Sequence, residues 1–506
     1  MHERFLRLIS VLSADLPERE QAVALGILAV AAGESLFLLG PPGVAKSLLA
    51  RRLKFVFRQA RSFEYLMGKF STPEEIFGPL SISGLRDRDV FERKTQGYLP
   101  QSDVVFLDEL WRAGPPIQNT LLAILNEKVF RNGGQEEEVP LKLLIGASNR
   151  TPDGEENAEA FWDRFLIRVE LHPLSSGPAF QKMLADTNDL YHPQPQADDQ
   201  LGEQEWFDIQ KAVATVEIPP MILETLDALR DEAAKTIYVS DRRWKKSVRL
   251  LKAAALLHDR KKIDPLDLAV LEHVLWQKPA EREAVEGLVL KALEDFGWPA
   301  PFEVDILLQK IQALRDELQG LTRRSKIVTQ PKPVLYDGEY YAVVGYPDPL
   351  SARVWAQDYA LWSSEREVEG EVFFFRPMGA YVSSRKLSLR RGEGPAEIVI
   401  DGVLYALESV PEELTVWTRV IPKGSELKEW SVKAEAVLQE LEEGSVALES
   451  FLAQKLTDAA GHLFADSRHA QACQSELKWQ SARLGDAKTG LIELMETRNP
   501  ELLGDL

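Results

Sequence analysis

Gly40-Pro41-Pro42-Gly43-Val44-Ala45-Lys46-Ser47-Leu48 joins an apolar run, Ser35–Leu39, to a helical run that continues through Leu49-Ala50. A strand, a glycine-bearing turn and a helix start make a cradle for phosphate. Backbone N–H groups point inward, and the helix dipole adds roughly half a positive charge at the first turn. Gly40, Gly43, Val44, Ala45, Lys46, Ser47 and Leu48 are therefore the candidate nucleotide-binding set, for ATP or ADP. Lys46 can reach the β- and γ-phosphates, and the Ser47 hydroxyl can ligate Mg²⁺. The pattern G-x-x-x-x-G-K-[ST] asks for glycine where this chain has Ala45. Alanine there is cheap if its φ stays negative and strained if the residue is left-handed. On composition alone, the stretch is also a surface loop that holds Gly, Pro and Lys.

Val104-Val105-Phe106-Leu107-Asp108-Glu109 is the second signal. A buried apolar strand ending in two acids delivers both carboxylates to the carboxyl edge of a parallel sheet, where open α/β folds bind ligands. Asp108 would hold Mg²⁺ opposite Ser47, directly or through water. Glu109 would orient and polarise the water that attacks the γ-phosphate. An acid-rich helix start gives the same pattern when it stands alone. Leu141–Ala147 is a further apolar strand, ending in Ser148-Asn149-Arg150. The Asn149 amide is placed to sit between the γ-phosphate and the attacking water, although an Asn at a strand end also serves in turns.

These residues need a sheet to hold them. Candidate strands at Ser35–Leu39, Phe63–Met67, Val104–Leu107 and Leu141–Ala147 alternate with helical segments, which implies a mostly parallel sheet with helices on both faces. The α/β nucleotide-binding part is expected over 1–180 and a small all-α lid over 181–280, with a polar loop around Tyr191-His192-Pro193-Gln194-Pro195. Within the lid, Asp241–Arg260 has apolar residues at helical spacing, and Asp264-Pro265 reads as an N-cap followed by a first-turn proline. A helical arm is expected over 281–330, closing on the basic stretch Arg323-Arg324-Ser325-Lys326. The texture then changes to strand-like runs such as Tyr340–Val344, Glu371–Phe375 and Glu397–Ile400, with Asp401-Gly402 as a hairpin turn. This small β-rich domain, 331–425, is followed by a C-terminal helical arm, 426–506, so the reading is a helical bundle carrying an inserted β domain. Its aromatic residues, Trp355, Trp362, Phe373–Phe375 and Trp417, are expected mostly in the core.

A chain of 506 residues is too long for one core and suggests roughly three or four domains. A formal net charge of −19 argues against a main role in neutralising nucleic-acid phosphates. The single cysteine, Cys473, excludes an intrachain disulfide framework and a Cys-based zinc cluster, and suits a reducing compartment. Gly33-Glu34 interrupts the most apolar N-terminal stretch, so no transmembrane segment is expected. The charged, amphipathic Met1–Ile9 is unlike a signal peptide. The expected location is the cytoplasm.

The order of these motifs resembles the AAA+ ATPases and, within them, the MoxR group, with the RavA subfamily as the specific likeness. Gly40–Ser47, Phe70–Leu80, Gly97-Tyr98-Leu99-Pro100, Phe106–Glu109, Ala147-Ser148-Asn149, Asp163-Arg164-Phe165 and Val239–Lys246 carry the resemblance, which is dense over 1–280. Ala45 is similar to the RavA form of the loop. The resemblance implies an α/β P-loop AAA+ core with an all-α lid. It gives Asn149 the sensor 1 position and Arg164 the role of an arginine finger for the nucleotide of a neighbouring subunit. It gives Arg242 the sensor 2 position, with Arg243 one residue away as the alternative. By residue type alone, Arg164 is an exposed helix charge or ion-pair partner. Inserts are implied near Ile76–Leu99 and Asn132–Pro140.

Further implications are a homo-hexameric ring and a von Willebrand factor A domain partner of the ViaA type. A client enzyme complex docked through the β domain is also implied; in one relative this is an inducible lysine decarboxylase. The leading expectation is Mg²⁺-dependent ATP hydrolysis that remodels or matures partner protein complexes, chaperone-like. A metal-chelatase-type motor, a nucleotide-gated scaffold with little turnover and a DNA-loading ATPase are the alternatives. The length of the C-terminal part disfavours the first, the intact Lys46, Asp108, Glu109 and Arg164 the second, and the net charge the third.

Overall fold

The computed structural model describes residues 1–152, 156–185, 193, 195–377 and 379–497, so most of the polar loop expected around Tyr191 and the last residues of the C-terminal arm lie outside the described residues. The chain divides into two compact units, Met1–Val304 with Glu442–Asp486, and Asp305–Leu441 with the residues from Ala487 onward.

The first unit is built on β1 (Leu36–Leu39), β2 (Ser62–Leu66) and β3 (Val104–Asp108), a hairpin of β4 (Val129–Asn132) and β5 (Gln135–Glu138), then β6 (Leu143–Ser148) and β7 (Ile167–Glu170). Five of these form one parallel sheet in the order β2-β3-β6-β1-β7. The central strands β1 and β6 are buried along their whole length, as expected of apolar runs covered on both faces. Helix Glu20–Ala32 is apolar on every side and is buried from Ala22 to Ala32, so it fills the core on one face. The candidate strands match four of the sheet strands to within a residue or two, and β7 is an addition. It is short, and its Arg168 breaks the apolar pattern. That arginine is fully buried, and its guanidinium lies over Trp162 at 4.0 Å.

The insert expected over Ile76–Leu99 starts at the end of a short helix, Pro73–Phe77, and contains another, Ile82–Arg88. The loop expected at Asn132–Pro140 begins in the β4–β5 hairpin, turning at Gly133-Gly134. The two segments are joined, because Asn132 Oδ1 accepts from the Arg93 N–H at 2.5 Å and its amide donates to the Arg93 carbonyl at 3.1 Å.

The lid is helical, with Glu203–Thr215, Pro220–Ala233 and Asp241–Leu257 followed by a 3₁₀ run, Pro265–His273. Asp264 caps that run by accepting the Leu266 N–H at 3.1 Å. The strongest buried polar cluster lies here. Asp267 takes both arms of Arg260 at 2.7 Å each, and His462 lies 3.3 Å away. Three members, His258, Asp267 and His462, stand close enough to suggest a metal site. Their lone pairs are committed, however. Leu463 N–H donates to His258 Nε2 at 3.0 Å, and His258 Nδ1 faces the Ala254 carbonyl at 2.7 Å. Phe464 and Ala465 N–H groups donate to His462 Nδ1 at 3.3 and 3.0 Å. The cluster is a structural clamp. Cys473 is fully buried, and burial raises its thiol pKa.

In the second unit, helix Val304–Thr322 leads directly into β8 (Arg323–Pro333). The basic stretch Arg323–Lys326 therefore starts a strand and does not finish a helix, because its backbone pairs along the full length of the returning strand. Next come β9 (Leu335–Tyr336), β10 (Tyr340–Val344), β11 (Ser351–Trp355), β12 (Val368–Phe375), β13 (Tyr381–Arg391), β14 (Glu397–Ile400), β15 (Val403–Leu407) and β16 (Ser409–Arg419). Strands β8 and β16 form a two-stranded ribbon, and β9–β15 form an antiparallel sheet that closes on itself through β10 and β11. Closure leaves few edges to pair wrongly. Asp401 and Gly402 both have positive φ, 47° and 78°, as a tight hairpin turn requires. Phe374 and Phe375 are buried as expected, whereas Trp355 and Trp417 are 40% and 59% exposed. Trp355 ends β11 and stacks on Phe373 at 5.9 Å, while Trp417 lies on the β8–β16 ribbon, which is no part of the barrel. The first part of helix Gly424–Ala460, up to Leu441, also belongs to this unit, and there Trp430 donates its indole N–H to the Leu314 carbonyl at 2.8 Å. Among the described residues, no helix is long and apolar enough to cross a membrane.

Burial and neighbouring cations lower His258 and His273 from 6.5 to about 3 in the folded chain. Burial opposes ionisation of Asp267, but Arg260 and His462 outweigh it and hold the carboxyl below its ordinary range. All three folded-state values are depressed, so their stabilisation is complete above the unfolded values and is lost as pH falls through the folded ones. Unfolding free energy of the first unit should therefore fall from about pH 6.5 downward, by up to about 1.4 kcal/mol per pH unit for each histidine proton. Denaturant melts at stepped pH check this, and His258→Gln should flatten the slope.

Candidate nucleotide-hydrolysis site

The parallel order brings the carboxyl ends of β1, β3 and β6 together, and each is followed by a loop of the site. After β1, Gly40 passes so close to β7 that a Cβ there would lie 2.3 Å from the Leu171 carbonyl oxygen. At Gly43, with φ of 85°, an added Cβ would meet nothing within 4 Å, so the loop faces open space. Helix Lys46–Leu53 starts here, and its N-cap Ala45 has φ of 72°. The expensive case for alanine is therefore the one this chain adopts. The first helical N–H groups, those of Lys46 and Ser47, have no hydrogen-bond acceptor among the described residues. Open space, free donors and a helix start are what a phosphate chain requires.

Lys46 is buried and donates to the carbonyls of Gly40 at 2.6 Å and Pro41 at 2.9 Å, and to Asn149 Oδ1 at 2.7 Å. Burial lowers its pKa, with Asp108 and Glu109 opposing that shift. Asn149 Nδ2 donates to Glu109 Oε1 at 2.7 Å. The amide orientation is forced, because an ammonium can only donate and a carboxylate can only accept. One side chain thus links the loop lysine to the acid at the end of β3. Glu109 itself has φ of 52°. Such strain in a non-glycine residue persists only where its surroundings over-determine it.

Ser47 Oγ donates to Asp108 Oδ2 at 3.1 Å, and Asp108 Oδ1 accepts the Glu109 N–H at 2.9 Å. Two oxygens adjacent on an octahedron of about 2.1 Å radius stand roughly 3.0 Å apart. The pair therefore fits Mg²⁺ in both chemistry and spacing. Beside Gly43 and Ala45 lies a cavity of about 360 Å³ walled by Leu16, Pro17, Leu174, Phe180 and Met183, an apolar surround suited to a nucleobase ring. Arg19 closes its base, buried and donating to the carbonyls of Val44 at 3.3 Å and His172 at 2.6 Å. No motif marks this cavity, because its walls come from separate segments of the chain.

Arg164 is not in its own chain's cluster. It donates to Asn126 Oδ1 at 2.7 Å and lies 3.9 Å from Asp163. Burial lowers its pKa, and the Arg242 charge adds to that. The structure separates Arg242 from Arg243. Arg242 is exposed on the first turn of Asp241–Leu257, whereas Arg243 is 1% exposed. All five N–H donors of Arg243 are used, on Asp163 and on the backbone carbonyls of Asp163, Phe165, Leu166 and Val274. Burial lowers its pKa to about 10, so it stays cationic at neutral pH. Asp163 and Ser240 were present in the motifs but had no role until the fold placed them together.

A parallel sheet in this order, with a phosphate loop after one strand and paired acids after another, defines a P-loop ATPase of the AAA+ class. A family model for the MoxR domain of MoxR–vWA–β-propeller ternary systems matches residues 3–210, and an AAA lid domain model matches 220–289. This chain belongs to the MoxR group of AAA+ ATPases. An uncharacterized protein of Methanocaldococcus jannaschii is 36% identical over 313 residues, covering 61% of this chain and 82% of the relative. A second uncharacterized protein of that organism is 38% identical over 259 residues, covering 51% and 66%. A solved protein of Cytophaga hutchinsonii matches with a TM-score of 0.45 and 18% identity over 57% of this chain and 94% of that one, too distant to carry an argument.

The left-handed Ala45 supplies a direct check. Its conformation costs about 1–2 kcal/mol, of which glycine's greater unfolded-state entropy would return roughly 0.5–1. Ala45→Gly should therefore raise the thermal midpoint of the first unit by about 1–3 °C, read by calorimetry. A lowered midpoint would show that the side chain contributes packing that outweighs the strain.

Proposed function

We propose that this protein is a Mg²⁺-dependent ATPase of RavA type that works as a homo-hexameric ring in the cytoplasm and remodels or matures partner protein complexes. The observation that carries the reading is the Lys46–Asn149–Glu109 chain beside the Ser47–Asp108 pair. Lys46 exchanges its carbonyl partners for phosphate oxygens, while Asn149 keeps its contacts to Lys46 and Glu109. Glu109 holds the attacking water and draws on its proton. Ser47 and Asp108 hold the metal, which when bound neutralises charge on the phosphates. Arg242, exposed on the lid, is the sensor 2 residue, and Arg243 is its structural neighbour.

Arg164 is the finger offered to the neighbouring subunit. Its bond to Asn126, with no contact to Asp108 or Glu109 among the described residues, supports a role outside its own site, and so does the ring habit of the class. The partner we assign is a von Willebrand factor A domain protein of ViaA type, in keeping with the ternary systems for which the matching family model is described. The closed β barrel is the place where a client enzyme complex docks.

Lys46→Ala should weaken nucleotide binding about a hundredfold, as expected for losing a charged hydrogen bond of about 3 kcal/mol. Glu109→Gln should keep binding but lower phosphate release roughly a hundredfold or more. Titration with a fluorescent nucleotide and a phosphate-release assay check both. Wild-type release no faster than that of Glu109→Gln would contradict the ATPase reading and favour a nucleotide-gated scaffold.

A further inference from the structure

The finger segment Asp163–Leu166 is held from two sides. On the sheet side, Ser35 Oγ, just before β1, donates to the Arg164 carbonyl at 2.9 Å. Phe165 is fully buried and meets the Phe37 ring edge-on at 5.1 Å, over Gly146, where a Cβ would lie 2.9 Å from both rings. On the lid side, Arg243 grips the carbonyls of Asp163 at 3.3 Å, Phe165 at 2.9 Å and Leu166 at 2.9 Å, and also that of Val274 in the lid at 2.7 Å. The Asp163 carboxylate returns the contact. It accepts Arg243 Nε at 3.3 Å and the Ser240 hydroxyl at 3.3 and 3.4 Å, while Ser240 caps the same lid helix through the Arg243 N–H.

A residue needed only to fill space at this site would be apolar, since burying a lone guanidinium is costly. Arg243 instead gives three of its five donors to the backbone on either side of Arg164, one to the Asp163 carboxylate and one to the Val274 carbonyl of the lid. A planar five-donor fork fixes position and orientation together, which an ammonium or an apolar chain does not. Lid and finger cannot move independently without breaking this set.

We infer that Asp163, Ser240 and Arg243 form a latch that makes the lid helix and the arginine finger one mechanical unit. Asp163 is thereby a positioning residue for the hydrolysis carried out in the next subunit. The inference rests on the reading of Arg164 as a residue that acts on a neighbour's nucleotide. Its consequence is regulatory: a force that the nucleotide of its own subunit puts on the lid helix reaches, through Arg243, the sheet-anchored finger presented to the next one.

The test uses the full chain with Asp163→Asn, and Arg164→Ala as control. Asp163→Asn should bind ATP within about threefold of wild type, because its own phosphate loop is untouched. Its saturated turnover should fall about tenfold or more, the scale of loss for a misplaced catalytic group. In mixed rings checked by native mass spectrometry, Glu109→Gln subunits should restore turnover to both variants, since they offer an intact latch and finger. If Asp163→Asn fails to fold, Ser240→Ala keeps the Asp163–Arg243 pair and should show a smaller loss, about threefold, with the same restoration.

Unchanged turnover in the folded variant overturns the latch. So does a loss that mixing does not restore in rings where Arg164→Ala is restored. If Arg164→Ala itself is not restored, the assignment of Arg164 to the neighbour falls, and the latch falls with it.

Discussion

The order of strands in the central sheet is the constraint on which the site depends. Strand β1 lies between β6 and β7 in parallel register, with Leu39 opposite Ser148, and β3 lies beside β6 with Leu107 opposite Gly146. Gly40, Asp108 and Asn149 follow these strands, so three loops far apart in sequence emerge at one edge. Register fixes their height, and burial of β1 and β6 on both faces leaves little room for slippage. A distance of 2.7 Å between Lys46 and Asn149, across 103 residues of chain, follows from this arrangement.

On that frame two of the chain's left-handed non-glycine residues, Ala45 and Glu109, flank the Ser47–Asp108 pair. Both are strained, and both sit where a helix or turn must begin abruptly to aim a functional group. The compensation is electrostatic as well as steric. Asn149 satisfies a cation on one side and an anion on the other, and the Glu109 N–H is taken up by Asp108. The site is organised by its own hydrogen bonds around the position a phosphate chain would occupy.

Much of this was legible in the sequence because contiguous motifs map onto strand ends. Gly40–Ser47, Phe106–Glu109 and Ser148-Asn149 each combine a buried apolar run with the residues that leave it, so both placement and chemistry are written locally. What was hidden depends on tertiary contact. Strand β7 was missed because Arg168 interrupts its apolar pattern, and only packing against Trp162 makes that charge tolerable. The choice between Arg242 and Arg243 cannot be made from spacing, since adjacent residues at a helix start differ only in which face meets the core. Trp355 and Trp417 show the same limit, because composition marks an aromatic residue as core while its place at a strand end or on a two-stranded ribbon decides whether anything covers it. Arg323–Lys326 reads as a helix end until the pairing partner Val416–Arg419, ninety or more positions later, makes it a strand.

Phosphate binding and water activation are, in this account, one unit joined by the Asn149 amide, which the parallel sheet sets between Lys46 and Glu109. The most direct measurement is nucleotide affinity and phosphate release, side by side, for Asn149→Ala. Affinity close to wild type with turnover reduced tenfold or more, on the order expected when a positioning contact to the general base is lost, is the predicted result. Wild-type turnover in a correctly folded variant would contradict it.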